Sequence, residues 1–163
     1  MIRSEPIKPT SSTCSPKLPT NDPIRFWLLG IEEYERFVTM MCDENDLDLP
    51  HQHSPSIAID VIWHCHLLDT AGYKQFIGAI TGRTGALLHH TPYPSGEQAK
   101  RARYALTYSK LDSFSKLLTF WWPEPDQYDH WYSPETVYDL SVTTCHRIAV
   151  FHDDKPHRIR RIH

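Results

Sequence analysis

The sequence predicts a mainly α protein, a compact bundle of about four helices with a small β or irregular C-terminal tail. Three observations carry this. Apolar residues recur at helical spacing over 24–41 and again over 99–121. Helix-start residues stand ahead of the periodic stretches: Asp22-Pro23, Ser54-Pro55-Ser56, Asp69-Thr70, and Ser95 with Gln98 three positions on. A chain of 163 residues, 40% hydrophobic and 12% aromatic, suits one domain with a real core.

Residues 1–21 are rich in Pro, Ser and Thr and read as a disordered arm. The helical domain spans 22–132. Its first helix has Asp22 as N-cap and Pro23 at the first helical position. Ile24, Trp27, Leu28, Ile31, Tyr34, Phe37, Val38 and Met41 then line one face, Glu32 can pair with Arg36 on the other, and the helix ends near Cys42–Asn45. The acidic stretch 43–48 with Pro50 forms a loop. The segment Ile57–Leu68 is apolar almost all round and therefore central. Its Ile and Val content also suits a strand, so periodicity leaves helix and strand both open. Asp69-Thr70 starts a short helix through Tyr73, Phe76, Ile77 and Ile80, which Gly82 and Gly85 terminate. Ala86–His90 runs extended into a Pro-containing turn. Ser95 and Gln98 then open a helix that reaches Trp121, ended by Pro123 and Pro125. Residues 133–163 form an extension in which 137–142 and 147–151 have hairpin-like composition, before a basic tail.

Charge and motif content narrow the function. The formal net charge is -3, so a nucleic-acid partner is not expected. No apolar run reaches the length of a membrane span, and no secretory leader precedes the domain, so a cytoplasmic protein is expected. The four cysteines (Cys14, Cys42, Cys65, Cys145) form no C-x-x-C pair and are expected as free thiols. Phosphate-binding glycine loops, G-x-S-x-G and H-E-x-x-H are all lacking.

The histidines are the unusual feature. Eleven are present, and six lie between positions 51 and 90: His51, His53, His64, His66, His89 and His90. Imidazole is neutral at pH 7 and offers a nitrogen lone pair, which makes it the commonest metal ligand. Asp60 lies four residues before His64. On a helix His64 and His66 point about 160° apart and cannot share an ion, whereas Asp60 and His64 stack one turn apart. On a strand His64, His66 and Asp60 would share a face. Burying so many polar groups in an apolar segment is costly unless they are paired, and one metal ion would satisfy several. His51 and His53 sit in a polar loop and are expected in solvent. Cys65 reads as a small buried side chain, and Trp63 as core. The aromatic cluster Phe120, Trp121, Trp122, Tyr128, Trp131 and Tyr132 also reads as packing.

The string Pro55-Ser56-x-x-Ile59-Asp60-x-x-Trp63-His64-x-His66-Leu67-Leu68-x-Thr70-x-x-Tyr73-x-x-Phe76, followed by Leu88-His89-His90-x-Pro92, resembles the signature of glycine-rich-domain-containing-protein-like sequences. Glu33-Tyr34-x-Arg36-Phe37 and Tyr104-x-x-Thr107 extend the resemblance, which covers about two-thirds of the chain, residues 24–131. It implies a mainly helical domain, and so a helix over 57–68. It also implies Asp60, His64, His66 and His89 as the polar signature residues, with Trp63, Thr70, Tyr73 and Pro92 as structural ones. It implies no particular reaction. The glycine-rich tail and membrane segment of larger members have no counterpart here.

The leading expectation is a domain that binds a divalent metal, zinc or iron. His64 and His89 would bind the ion directly, Asp60 would be a third ligand or orient His64, and His66 and His90 are secondary candidates. Three protein ligands with an open position would make it a metalloenzyme if that position activates water or oxygen. The alternative is a non-catalytic helical interaction module. In that case Asp60, His64, His66 and His89 are structural, and a protein partner docks on the aromatic C-terminal region or the Pro-rich arm.

Overall fold

A computed structural model describes residues 22–90, 96–129, 132, 136, 137 and 139–141. The expected arm over 1–21, Pro92, Trp131 and the second hairpin arm at 147–151 lie outside the described residues. Among the described residues five unbroken helices follow in chain order: α1 (Pro23–Asp43), α2 (Ile57–Leu68), α3 (Thr70–Thr81), α4 (Glu97–Lys110) and α5 (Ser113–Leu117). No strand occurs among the described residues, so the mainly α expectation holds.

Local chemistry sets the boundaries. The Asp22 carboxylate accepts from the Arg25 N–H, with Pro23 inside the first turn of α1. Ser56 caps α2 by accepting from the Ile59 N–H, and Asp69 caps α3 by accepting from the Gly72 N–H. Gly82 ends α3 in the left-handed region at φ 65°. Helix therefore wins over strand at 57–68, where a capping serine and a following capping aspartate bracket twelve residues.

The C-terminal half departs from expectation in three places. The cap of α4 is Gly96, which makes no side-chain cap bond, and Ser95 lies outside the described residues. The helix does not reach Trp121. Asp112 accepts from the Ser115 N–H and starts α5 anew, and Phe120–Trp122 follow in a turn closed by Leu118 C=O. Residues 136, 137 and 139–141 are helical, with the Ser141 hydroxyl bonded to the Val137 carbonyl four residues back, so the first arm of the expected hairpin is not a strand. On the surface of α1, Arg36 pairs with Glu33 and Asp112, not with Glu32.

The core is aromatic. α1, α2 and α3 pack on one another, and the Phe120–Trp122 turn closes the open side of α1. Phe26 stacks on Trp121 at 4.7 Å between ring centroids and meets Phe120 edge-on at 4.9 Å. Trp122 is fully buried, and its indole N–H donates to Glu33 Oε2 at 2.8 Å. Glu33 is itself fully buried, with its second oxygen 3.5 Å from the Arg36 guanidinium. A hydrogen bond to a charged group is worth about 1.5–3 kcal/mol, so losing the Trp122 indole would cost on that order. Thr107 of α4 accepts from the Ser54 N–H at 3.1 Å and so fixes the chain just before α2.

No helix among the described residues is long and apolar enough to cross a membrane. Cys42 is a free thiol, as expected. Cys65 is buried, also as expected, but disulfide-bonded, and its partner lies outside the described residues. The free-thiol expectation therefore fails at Cys65, and the cysteines give no support for a reducing compartment.

Gly30 exists to admit Trp121. A Cβ at position 30 would lie 2.4 Å from Trp121 Cη2, far inside contact distance. Gly30→Ala should therefore lower stability by about 1–3 kcal/mol, although alanine is the better helix former by up to ~1 kcal/mol. Urea unfolding monitored by tryptophan fluorescence measures this, and an unchanged or raised midpoint would contradict the packing described.

Candidate metal centre

The helical geometry of α2 separates its two histidines. His66 turns inward and is buried, and its Nδ1 meets the Tyr34 hydroxyl at 3.0 Å. Burial raises the Tyr34 phenol well above its usual pKa, with Tyr73 and Cys42 adding to the effect. The hydroxyl therefore keeps its proton, and His66 Nδ1 is engaged in that buried bond. The rings of Tyr73 and Phe76 close round His66 at 5.2 and 5.0 Å. It does not belong to the metal-ligand group.

His64 turns the other way, with its side chain 48% exposed. Its Nδ1 lies 2.8 Å from the Asp60 backbone carbonyl one turn back. A carbonyl only accepts, so Nδ1 carries the proton and Nε2 keeps its lone pair. The Asp60 carboxylate stands beside it, with Oδ2 at 3.5 Å from His64 Nδ1.

The third member comes from the 86–90 segment. His90 is mostly buried, and its Nε2 lies 3.1 Å from Asp60 Oδ1. Its ring meets His64 at 4.3 Å and stands edge-on to the buried Trp63 at 4.5 Å and 88°. Asp60, His64 and His90 each offer a ligand atom, all within 4.8 Å of one another, and they form the one such group among the described residues. The carboxylate only accepts, so the Asp60–His90 contact is a hydrogen bond from Nε2–H, which an ion would replace; two ligands of a tetrahedral zinc stand roughly 3.3–3.6 Å apart, a little wider than this contact.

His89, expected as a direct ligand, is exposed and points elsewhere, with its Nε2 3.8 Å from Asp48. In H-H dipeptides the two rings take opposite sides of an extended backbone, and spacing alone does not say which side faces α2. Here the second imidazole does. Of the structural residues, Trp63 and Tyr73 are core, and Thr70 is exposed at the start of α3.

The loop histidines are the clearest correction. His53 is buried and His51 nearly so, with side-chain exposures of 0% and 10%, because Asp46 draws both inward. Asp46 is buried too, and its oxygens take the N–H groups of Gln52 and His53 and the His53 Nδ1 at 3.0 Å. Its Oδ1 lies 3.6 Å from His51 Nδ1. Polarity suggested solvent. Yet a carboxylate stands six and seven residues upstream of the two backbone donors, the makings of a carboxylate-centred loop.

Burial opposes the Asp46 charge, but the hydrogen bonds from Gln52 and His53 and the nearby His51 outweigh it and hold the carboxyl below its usual pKa. A depressed folded-state pKa contributes stability that is present above the unfolded value, near 3.9, and is lost as pH falls through the folded value. Asp46→Asn should cost about 1.5–3 kcal/mol at pH 7, with the gap to wild type narrowing below about pH 4. Denaturant titrations of both proteins between pH 7 and pH 3 measure it, and a gap constant with pH would contradict the role given to the carboxylate.

No family model matches the chain, and no curated protein or solved structure does either, so the functional reading rests on the site itself.

Proposed function

We propose that the protein binds one divalent metal ion through Asp60, His64 and His90. The convergence of three ligand atoms within 4.8 Å, on a helix turn and a facing segment, carries this reading. Two imidazoles and one carboxylate suit zinc or ferrous iron, and softer metals would favour thiolate. Cys65 is disulfide-bonded and offers none. His64 holds Nδ1–H on a carbonyl, which leaves Nε2 with the lone pair a metal would need. Asp60 supplies a negative charge that favours a cation. The ligand side chains are partly open to solvent, with exposures of 28%, 48% and 12%, so an ion could enter and a fourth position could hold water. A metal there would act as a Lewis acid on bound water or, as iron, meet oxygen. The W-H-x-H-L-L string and the later H-H-x-P further lead us to propose kinship with glycine-rich-domain-containing-protein-like sequences.

Protein purified without nickel affinity should bind one equivalent of Zn2+ by calorimetry. At 100 Kd of free metal its folding stability should rise by about 2.7 kcal/mol. His64→Ala and Asp60→Asn should each abolish or greatly weaken binding, whereas His89→Ala should leave it unchanged. Loss of binding in His89→Ala, or unchanged affinity in His64→Ala, would overturn the ligand assignment.

A further inference from the structure

The two imidazoles of the centre are presented by different means. His64 rides on α2, whose own hydrogen bonds hold it in place. His90 sits on a non-helical segment that no repetitive hydrogen-bond ladder fixes. Its approach is instead held from outside at three consecutive backbone groups. The Leu88 carbonyl accepts from the Tyr73 hydroxyl at 2.7 Å. The His89 N–H donates to the Leu47 carbonyl at 3.0 Å. The His89 carbonyl, on the peptide that leads into His90, accepts from His51 Nε2–H.

We propose that His51 and Tyr73 are positioning residues of the metal centre, clasping the 88–89 backbone at two successive carbonyls so that His90 meets Asp60 and His64. The proposal rests on the metal reading above. The Tyr73 side of the clasp is anchored by a second buried hydrogen bond. Tyr73 accepts from the Trp63 indole at 3.0 Å while donating to Leu88. Burial pushes its phenol up to about 12, so it remains a donor at any physiological pH. His51 donates to a carbonyl, which places its proton on Nε2; its ring lies 6.2 Å from Trp63, and its Nδ1 is 3.6 Å from Asp46 Oδ1. Neither residue offers the ion a ligand atom. Without the clasp the centre falls back to Asp60 and His64, an i,i+4 pair on one helix with two donors where the full site has three.

Co2+ titration of the full chain, read by visible absorption and by competition with Zn2+, tests this. Wild type should bind one Co2+ with an intense low-symmetry band. His51→Leu and Tyr73→Phe should each weaken binding about 10–100-fold, the usual effect of removing a group that orients a ligand, with a weaker, shifted band. His51→Gln keeps an N–H donor and should restore affinity to within a few-fold of wild type. Apo-protein melting and circular dichroism monitor folding, and if His51→Leu does not fold, Tyr73→Phe decides. If wild type binds no Co2+, the metal reading itself fails. If wild type binds and His64→Ala does not, yet His51→Leu and Tyr73→Phe keep wild-type affinity and spectrum, the positioning proposal is overturned and the metal reading stands. A His51→Gln protein as weak as His51→Leu would overturn the hydrogen-bond role of His51.

Discussion

A chain of two buried hydrogen bonds holds the structure's working parts together. The Trp63 indole N–H donates to the Tyr73 hydroxyl, which donates to the Leu88 carbonyl. Trp63 is among the largest fully buried groups, and its single donor must find an acceptor there or cost about 1–3 kcal/mol. A hydroxyl takes that bond and donates onward through a single atom. Tyr73 therefore joins α2, α3 and the segment after Gly85 in one line. The same indole presents its ring to His90. Core packing and the candidate metal centre thus share an element, and the position of His90 follows from how the core closes.

The buried acids follow the same rule at a larger scale. Asp46 gathers the loop between α1 and α2, taking backbone and imidazole donors from Gln52 and His53. Glu33 secures Trp122 against α1. Neither is near the surface charge one would infer from composition. Asp46 is held because donors surround it, Glu33 has the Trp122 indole on one oxygen, and each fixes a segment that otherwise has little regular structure. The surface ion pairs contribute less: Arg36 with Asp112 and Lys110 with Glu44 are both solvent-exposed, and such pairs are worth about 0–1 kcal/mol.

Much of this was legible in the residues. Asp22-Pro23, Ser56 and Asp69 announced three helix starts, because capping is a local interaction between near neighbours. The helical angle between His64 and His66 foretold that one faces the core and the other does not, and Asp60 was legible as the partner of His64. The choice of His90 over His89 was not. It depends on which face of an extended segment meets α2, and Tyr73, His51 and Leu47, remote in sequence, decide that. The burial of His51 and His53 was hidden for the same reason. A polar loop reads as solvated until a carboxylate is seen to turn it inward. The end of α4 at Lys110 shows a local signal that periodicity masked: the apolar spacing runs on to Trp121, yet Asp112 as a cap outweighs it.

The position of a bound ion distinguishes Asp60, His64 and His90 from the other histidines. The most direct measurement is a crystal structure of the zinc-loaded full chain, with anomalous data collected on both sides of the zinc edge. One anomalous peak bonded to Asp60 and to nitrogens of His64 and His90, at about 2.0–2.2 Å, is predicted. A peak on His66 or His89, or none on the Asp60–His64–His90 group at saturating zinc, would contradict it.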